Sequence, residues 1–263
     1  LLVIGALGPA VNFLIPLFIQ IVQGRSTMQT AIAVVPYTLA IAASAIFIVR
    51  LYDRLTPRRI AMVAFALVAA GLTLLSFVVG NNWGTIFVIL GLLMVGLGEG
   101  SLLTLLFNVM VTSAPKELAG DVGALRGVAN NLSTALGTAF AGVVAVGLLS
   151  LFITSAIAQA NIPRSLLRQV NLDNVNFISN EQLDDVMAQT TATPEQITTA
   201  VQINEAARLR ALRASFLILA AFALLAIFPA LGLPDYTPGN EPPEPEAPPT
   251  KKKPSTRKKA AVS

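Results

Sequence analysis

The amino-acid sequence predicts an all-α integral membrane protein with six membrane-spanning helices and a disordered, basic tail. Of the 263 residues, 54% are hydrophobic and only 12% are charged, whereas soluble proteins carry about a quarter charged residues. Uncharged stretches of about 20 residues recur along the chain, which is the length that a helix needs to cross the hydrocarbon core of a bilayer. The positive side chains are concentrated in the short connections between these stretches and in the tail.

The uncharged stretches define the predicted membrane-spanning helices. The run 60–98 is too long for one crossing, and the turn residues at 80–84 divide it. The first two spans are separated by the turn-forming sequence Gly-Arg-Ser at 24–26. The predicted spans are 1–23, 29–50, 60–79, 84–111, 127–157 and 214–233.

The first stretch is not expected to be a signal peptide, because the chain begins Leu-Leu-Val-Ile without Met or a basic leader. We expect further residues of the full protein to precede it. Pro9, Pro16 and Pro36 lie inside the first two spans. Prolines there are expected to kink the helices and to free backbone carbonyls toward a cavity.

The segment 161–213 is polar and mixed in charge, so it is predicted to be an extracytoplasmic excursion before the sixth span. Thr193, followed by Pro194 and Glu195, predicts the start of a helix that runs into that span. The tail 235–263 is rich in Pro and Glu and then in Lys, and is predicted to be disordered.

The distribution of lysine and arginine predicts that both chain ends face the cytoplasm. We expect a multi-pass protein of the plasma membrane. The predicted cytoplasmic side holds Arg50, Arg54, Arg58, Arg59, Lys116, Arg126, Lys251, Lys252, Lys253, Arg257, Lys258 and Lys259. The opposite side holds Arg25, Arg164, Arg168, Arg208, Arg210 and Arg213. The net charge of +4 therefore favours an anionic lipid surface as a partner and not nucleic acid.

The composition also excludes several classes of catalytic and metal-binding site. The chain contains no cysteine and no histidine, so it has no disulfide framework, no thiol nucleophile and no catalytic triad or metal motif built on histidine. It has no Gly-x-Ser-x-Gly sequence and no paired aspartates inside the predicted spans. We expect no bound metal, no cofactor and no enzymatic activity.

The connection 49–59 between the second and third spans is short and rich in arginine. It resembles the Asp-Arg signature loop of the major facilitator superfamily, although Val49 and Thr56 stand where that loop usually has glycine. The matching residues are Asp53, Arg54, Arg58 and Arg59. By resemblance these residues form a conformational gate, in which an acid beside fixed arginines holds helices together in one state and releases them in another. Membrane topology alone would also account for an arginine-rich loop.

Two further stretches carry the resemblance, which covers nearly all of 18–149. The sequence 19–29 with Pro36, and Gly-Ala-Leu-Arg-Gly at 123–127 leading to Leu-Gly-Thr-Ala at 136–139, resemble the drug:proton antiporter family with fourteen helices. The resemblance implies the C-terminal half of a transporter, with two inverted three-helix repeats and substrate bound against an N-terminal half that is missing here. It further implies alternating access, with protons imported and small, amphipathic or drug-like molecules exported.

Glu99 is the one acidic residue well inside an apolar span, where a charge costs about 2.5–3.5 kcal/mol. Burial favours the neutral form of a carboxyl group, so Glu99 is a candidate for binding a proton or a cationic substrate. A neutral, hydrogen-bonded structural acid is the alternative. At about 100° per residue, Glu99 lies opposite the polar face of its helix, so it is predicted to point toward a neighbouring helix. That polar face consists of Ser101, Thr104, Asn108 and Thr112.

Other polar residues of the spans are candidates for lining a translocation path, or alternatively for hydrogen bonds between helices. The candidates are Asn12, Gln20, Asn108, Asn130, Asn131 and Thr134, together with Pro36 and Arg126. Small residues spaced four apart predict close helix packing in lipid, namely Gly96 with Gly100, and Gly137 in the fifth span. A non-transporting membrane scaffold or sensor with the same fold remains the main alternative, although the set of polar candidates argues against it.

Overall fold

The computed structural model describes residues 2–52, 54–80, 85–112, 119–159, 180–190 and 192–235, and this part of the chain is helical with short turns and no strands. The helices are α1 (Leu2–Leu17), α2 (Thr27–Tyr52), α3 (Pro57–Val78), α4 (Ile86–Thr112), α5 (Ala119–Gln159), α6 (Asn180–Ala188), α7 (Pro194–Leu225) and α8 (Ile227–Ala230). A π-helical segment, Phe18–Val22, follows α1. The all-helical prediction is confirmed for these residues.

Five of the helical stretches are long and apolar enough to cross a membrane. They are Thr27–Leu51, Pro57–Val78, Ile86–Val111, Gly120–Ala158 and Pro194–Ala230. The first predicted span corresponds to a shorter apolar stretch, Ala6–Ile21. The count of six spans therefore stays a prediction, and the tail from 236 onward, like residues 161–179 of the excursion, lies outside the described residues.

Two helices extend beyond the spans that hydropathy marked out. α5 has 41 residues and begins at Ala119, with Asp121 in its first turn, where an acid interacts favourably with the helix dipole. α7 begins at Pro194 and continues without a break into the predicted sixth span. Thr193 accepts a hydrogen bond from the backbone of Gln196 and the two residues form a capping box, so the predicted helix start is confirmed. Part of the polar excursion is thus helical.

The connection from α1 to α2 is built from residues that end one helix and begin the next. Pro16 lies inside α1 and has no backbone N–H, and the π-helical segment follows directly. Gly24 has a φ of 61°, in the left-handed region that favours glycine. Ser26 and Gln29 then cap each other across the start of α2, with hydrogen bonds of 3.1 and 3.3 Å between backbone and side chain.

The described helices pack in pairs around a large apolar core, and a second, small cluster of Leu149, Ala207 and Ala211 lies between α5 and α7. α1 packs on α5, and α2 packs on α4. α4 also packs extensively on α3, and α7 packs on both α3 and α5. α1, α2 and α3 form one set of three helices, and α4, α5 and α7 form a second set. The first helix of the first set packs on the second helix of the second set, and the second helix of the first set packs on the first helix of the second set.

Glycines let α4 approach two neighbours at once. Gly96 and Gly100 face α2, and Gly91 and Gly98 face α3. A Cβ atom at Gly100 would lie 2.6 Å from a backbone carbonyl oxygen of α2, and one at Gly98 would lie 2.7 Å from a carbonyl oxygen of α3. No side chain fits at these positions, so the backbones of the three helices are in direct contact, as small residues permit in lipid.

The α1–α5 contact depends on one glycine in the same way. A Cβ atom at Gly137 would lie 2.7 Å from the Cα atom of Ala6, so Gly137→Ala should lower the free energy of unfolding in detergent micelles by about 1–3 kcal/mol. Gly147→Ala is the matched control in α5, because a Cβ atom there meets nothing within 4 Å. The control should leave stability unchanged or raise it by up to about 1 kcal/mol. Equal losses in both variants would contradict the packing role of Gly137.

Candidate functional site

Among the described residues, Glu99 is the acidic side chain that lies in the core of the helix bundle. Glu99 of α4 is only 7% exposed. The Oη atom of Tyr37, on α2, donates a hydrogen bond to Oε2 of Glu99. Gly96 lies one turn before Glu99 and lets α4 approach the backbone of Tyr37, so the same glycine that packs the helices brings the two side chains together.

α1 completes the surroundings of this carboxyl group. The side-chain amide of Asn12 donates to Tyr37 Oη at 3.2 Å and to the carbonyl oxygen of Gly8 at 3.0 Å. A Cβ atom at Gly8 would overlap the Glu99 carboxyl group, so the carboxyl group occupies space that only a glycine leaves open. We call Gly8, Asn12, Tyr37 and Glu99 the Glu99 cluster.

The Glu99 cluster places a carboxyl group among neutral partners. Within the described residues, no lysine or arginine forms an ion pair with Glu99. A buried carboxylate without a cation is costly, and the cost falls when the group takes up a proton or a cation. The arrangement is chemically suited to reversible binding of a proton or of a positively charged group, as the sequence hypothesis requires.

The arginine-rich loop is tied to the end of the helical bundle. Asp53 lies outside the described residues, and Arg54 and Arg59 are exposed. Arg58 pairs through Nη1 with Oδ2 of Asp235, which follows α8, at 3.3 Å. The backbone N–H of Arg58 donates to the carbonyl oxygen of Pro234 at 3.3 Å.

The same aspartate reaches the first turn of α3. Thr56, the residue before α3, donates its hydroxyl to Oδ1 of Asp235 at 2.8 Å. The carboxylate of Asp235 therefore lies at a helix N-terminus, where negative charge is favourable. The sequence identified Arg58 as part of a gate, but it gave no reason to pair it with Asp235.

The opposite ends of the helices are joined by two side chains that the sequence also left unassigned. Arg213 of α7 donates from Nε and Nη2 to the carbonyl oxygen of Val79, at 3.0 and 2.7 Å. Gln23 donates to the carbonyl oxygen of Gly80 at 3.1 Å. The end of α3 is thus held by α7 and by the connection between α1 and α2.

The remaining polar candidates lie apart from the Glu99 cluster. The guanidinium group of Arg126 lies over the ring of Phe107, with Cζ 4.3 Å from the ring centroid. Arg126 and Asn130 line a cleft of about 30 Å³ between α4 and α5. Gln20, Asn131 and Thr134 are exposed, and Pro36 and Asn108 are partly exposed. The structure therefore groups Asn12 with Glu99, and Arg126 with Asn130.

Sequence reasoning missed Tyr37 and Gly8, which are the direct neighbours of Glu99. One signal was available, because a tyrosine in the middle of an apolar span needs a partner for its hydroxyl group. Nothing in the sequence points to Gly8. Ser101 and Thr104, on the predicted polar face of α4, donate to carbonyl oxygens of their own helix at 2.6 and 2.9 Å.

Residues 1–138 of the 263 match the family profile of the Major Facilitator Superfamily. The chain is 28% identical over 152 residues to the tetracenomycin C resistance and export protein of Streptomyces glaucescens. It is 30% identical over 159 residues to the tetracycline resistance determinant of Streptomyces rimosus. It is 24% identical over 162 residues to multidrug resistance protein Stp of Mycobacterium tuberculosis.

These relatives are much longer than the matched region. The alignments cover 58%, 54% and 60% of this chain, respectively. They cover 28%, 45% and 30% of the relatives in the same order. The chain thus spans less than half the length of each relative, and the relatives are all named for drug resistance.

The interaction energy between Arg58 and Asp235 can be measured, and we expect it to be small. The two side chains are 36% and 47% exposed, so a double-mutant cycle with Arg58→Gln and Asp235→Asn should give about 0.2–1 kcal/mol in the free energy of unfolding. The coupling should shrink at high salt, because exposed charges are screened. Asp185→Asn, an exposed acid of α6, is the control and should be additive with Arg58→Gln. Additivity of the Asp235 pair at low salt would contradict the contact.

Proposed function

Because the chain belongs to the Major Facilitator Superfamily, we propose that it is part of a membrane transporter that exports small, amphipathic or drug-like molecules in exchange for protons. The family consists of multi-pass membrane transporters and not of enzymes. The names of the relatives, which concern tetracenomycin C, tetracycline and multidrug resistance, support export of drug-like molecules.

The transport mechanism that we propose is alternating access. This half of the protein would rock against an N-terminal half, with substrate bound between the two. Large apolar side chains are exposed on α2 and α5, and they would contact lipid or the N-terminal half. They include Ile32, Leu39, Phe47, Leu132, Leu136 and Val143. We place the protein in the plasma membrane, and the distribution of lysine and arginine supports a C-terminus in the cytoplasm.

Proton coupling is assigned to Glu99, and the burial of this acid among neutral partners is the observation that carries the proposal. A charged carboxylate opposes closure of an apolar bundle around it, because removing the charge from water is costly. Protonation removes this opposition. Glu99 would therefore take up a proton while open to the outside and release it while open to the cytoplasm.

The loop of Asp53, Arg54, Arg58 and Arg59 is assigned to the conformational gate. The contacts of Arg58 with Asp235 and Pro234 support this role, because they join the start of α3 to the end of the last helix. The pair is partly exposed and contributes little to stability. Weak contacts of this kind can form in one conformation and break in the other at small cost.

Efflux from vesicles that carry the protein encoded by the complete gene tests the proposal. An imposed pH gradient should drive transport of tetracycline or of the cationic dye ethidium in the wild-type protein. Glu99→Gln keeps an acceptor for Tyr37 but cannot exchange a proton, so it should reduce gradient-driven transport to the level of empty vesicles. Exchange of substrate down its own gradient should persist.

The control for this experiment is Asp121→Asn, which removes an exposed acid in the first turn of α5 and should leave the pH dependence unchanged. Gradient-driven transport by Glu99→Gln at the wild-type rate would exclude the assigned role of Glu99. Absence of any efflux by the wild-type protein would favour a scaffold or sensor with the same fold.

A further inference from the structure

We infer that Tyr37 and Asn12 are positioning residues that set the charge state of Glu99 and transmit it to α1. The inference deepens the proposed function, since it rests on Glu99 as the proton-binding group. Neither residue would bind the transported proton. Both would act through the Glu99 carboxyl group.

The hydrogen bonds of the Glu99 cluster run in one direction. The amide of Asn12 donates to Tyr37 Oη, and the hydroxyl of Tyr37 donates to Glu99. Asn12 thus occupies the acceptor side of the phenol oxygen, which leaves the O–H bond directed at the carboxylate. The chain of donors begins on α1, passes through α2 and ends on α4.

Tyr37 is held in place by its surroundings. Its side chain is fully buried, at 0% exposure, and its backbone carbonyl lies against Gly96 of α4. The phenol oxygen is therefore held within hydrogen-bond reach of Glu99. A donor fixed in this position stabilises the carboxylate form of Glu99 over the protonated form, because hydrogen bonds to a charged acceptor are roughly twice as strong as neutral ones.

Other charged groups are remote from Glu99 on each helix that packs around it. α1 contributes the neutral residues Gly8 and Asn12, and α2 contributes Tyr37. The remaining charged residues of α2, α3 and α5 belong to the first or last turns of these helices or lie close to them. They are Arg50, Arg58, Arg59, Asp121 and Arg126. Tyr37 is thus the titratable partner of Glu99 within the described residues.

The same bonds connect the charge of Glu99 to the position of α1. When Glu99 is charged, the hydrogen bonds from Asn12 to Tyr37 and from Tyr37 to Glu99 are strongest, and they hold Asn12 close to Tyr37. Protonation weakens the bond from Tyr37 and with it the tie to Asn12. Gly8 lies directly against the carboxyl group, so the charge of Glu99 and the position of α1 are coupled. By linkage, movement of α1 alters the proton affinity of Glu99.

Infrared difference spectroscopy tests this without relying on transport. The carbonyl band of protonated Glu99 is identified by its absence in Glu99→Gln and is then titrated with pH in the full-length protein. Tyr37→Phe keeps the ring and removes the donor, so the midpoint should move about one pH unit higher. Asn12→Ala should move it less in the same direction. Because Asn12 acts through Tyr37, the double variant should match Tyr37→Phe alone.

Ser44→Ala is the matched control. Ser44 is a buried hydroxyl residue in the same α2–α4 interface, lies against Gly100, and bonds to the carbonyl oxygen of Ile41 in its own helix at 2.7 Å. This variant should leave the midpoint unchanged. If Tyr37→Phe does not fold, 3-fluorotyrosine introduced at position 37 replaces it, and this more acidic phenol should move the midpoint lower.

The outcomes separate this inference from the proposed function. A midpoint that does not move in Tyr37→Phe or with 3-fluorotyrosine would overturn the inference, even if transport is driven by protons. Additive shifts of Asn12→Ala and Tyr37→Phe would overturn the role of Asn12. The expected shifts in a protein whose efflux ignores the pH gradient would support the inference and exclude proton-driven export.

Discussion

The close approach of α4 to its neighbours is the constraint on which the rest of the structure depends. Four glycines along this helix remove the side chains that would otherwise separate it from α2 and α3. Lipid supplies no hydrophobic force between helices, so their association relies on packing contacts and hydrogen bonds. Direct backbone contact maximises the packing contribution. It also fixes the rotation of α4, and that rotation decides which helices Glu99 meets.

Glu99 is accommodated because this packing gives it both room and partners. Gly8 of α1 leaves the space, and Tyr37 of α2 supplies the hydrogen bond. A buried acid without such partners would destabilise the fold, whereas one paired with a fixed cation would be locked in the charged state. Neutral partners leave both states accessible. This is what the proposed exchange of a proton at Glu99 requires.

The ends of the bundle are joined differently from its centre. At one end, Asp235 meets Arg58 and Thr56 through partly exposed contacts. At the other, Arg213 and Gln23 donate to successive backbone carbonyls of Val79 and Gly80. These contacts depend on side chains of the connections and not on backbone packing. Under the proposed alternating access, motions that open one end and close the other would exchange these end contacts and leave the glycine contacts of α4 with α2 and α3 intact.

The sequence alone determined that this chain is helical and lies in lipid, because long uncharged stretches can satisfy their backbone groups there only as helices. It also located the start of α7 at Thr193 and predicted that Glu99 faces a neighbouring helix, since capping and helical periodicity are properties of nearby residues. Only the tertiary structure decided that the neighbours are Tyr37 and Gly8, and that Arg58 meets Asp235. Glu99 and Tyr37 are 62 residues apart in the sequence, and Arg58 and Asp235 are 177 residues apart. Which helices touch, and in which rotation, depends on the packing of all of them together, and no local pattern records it.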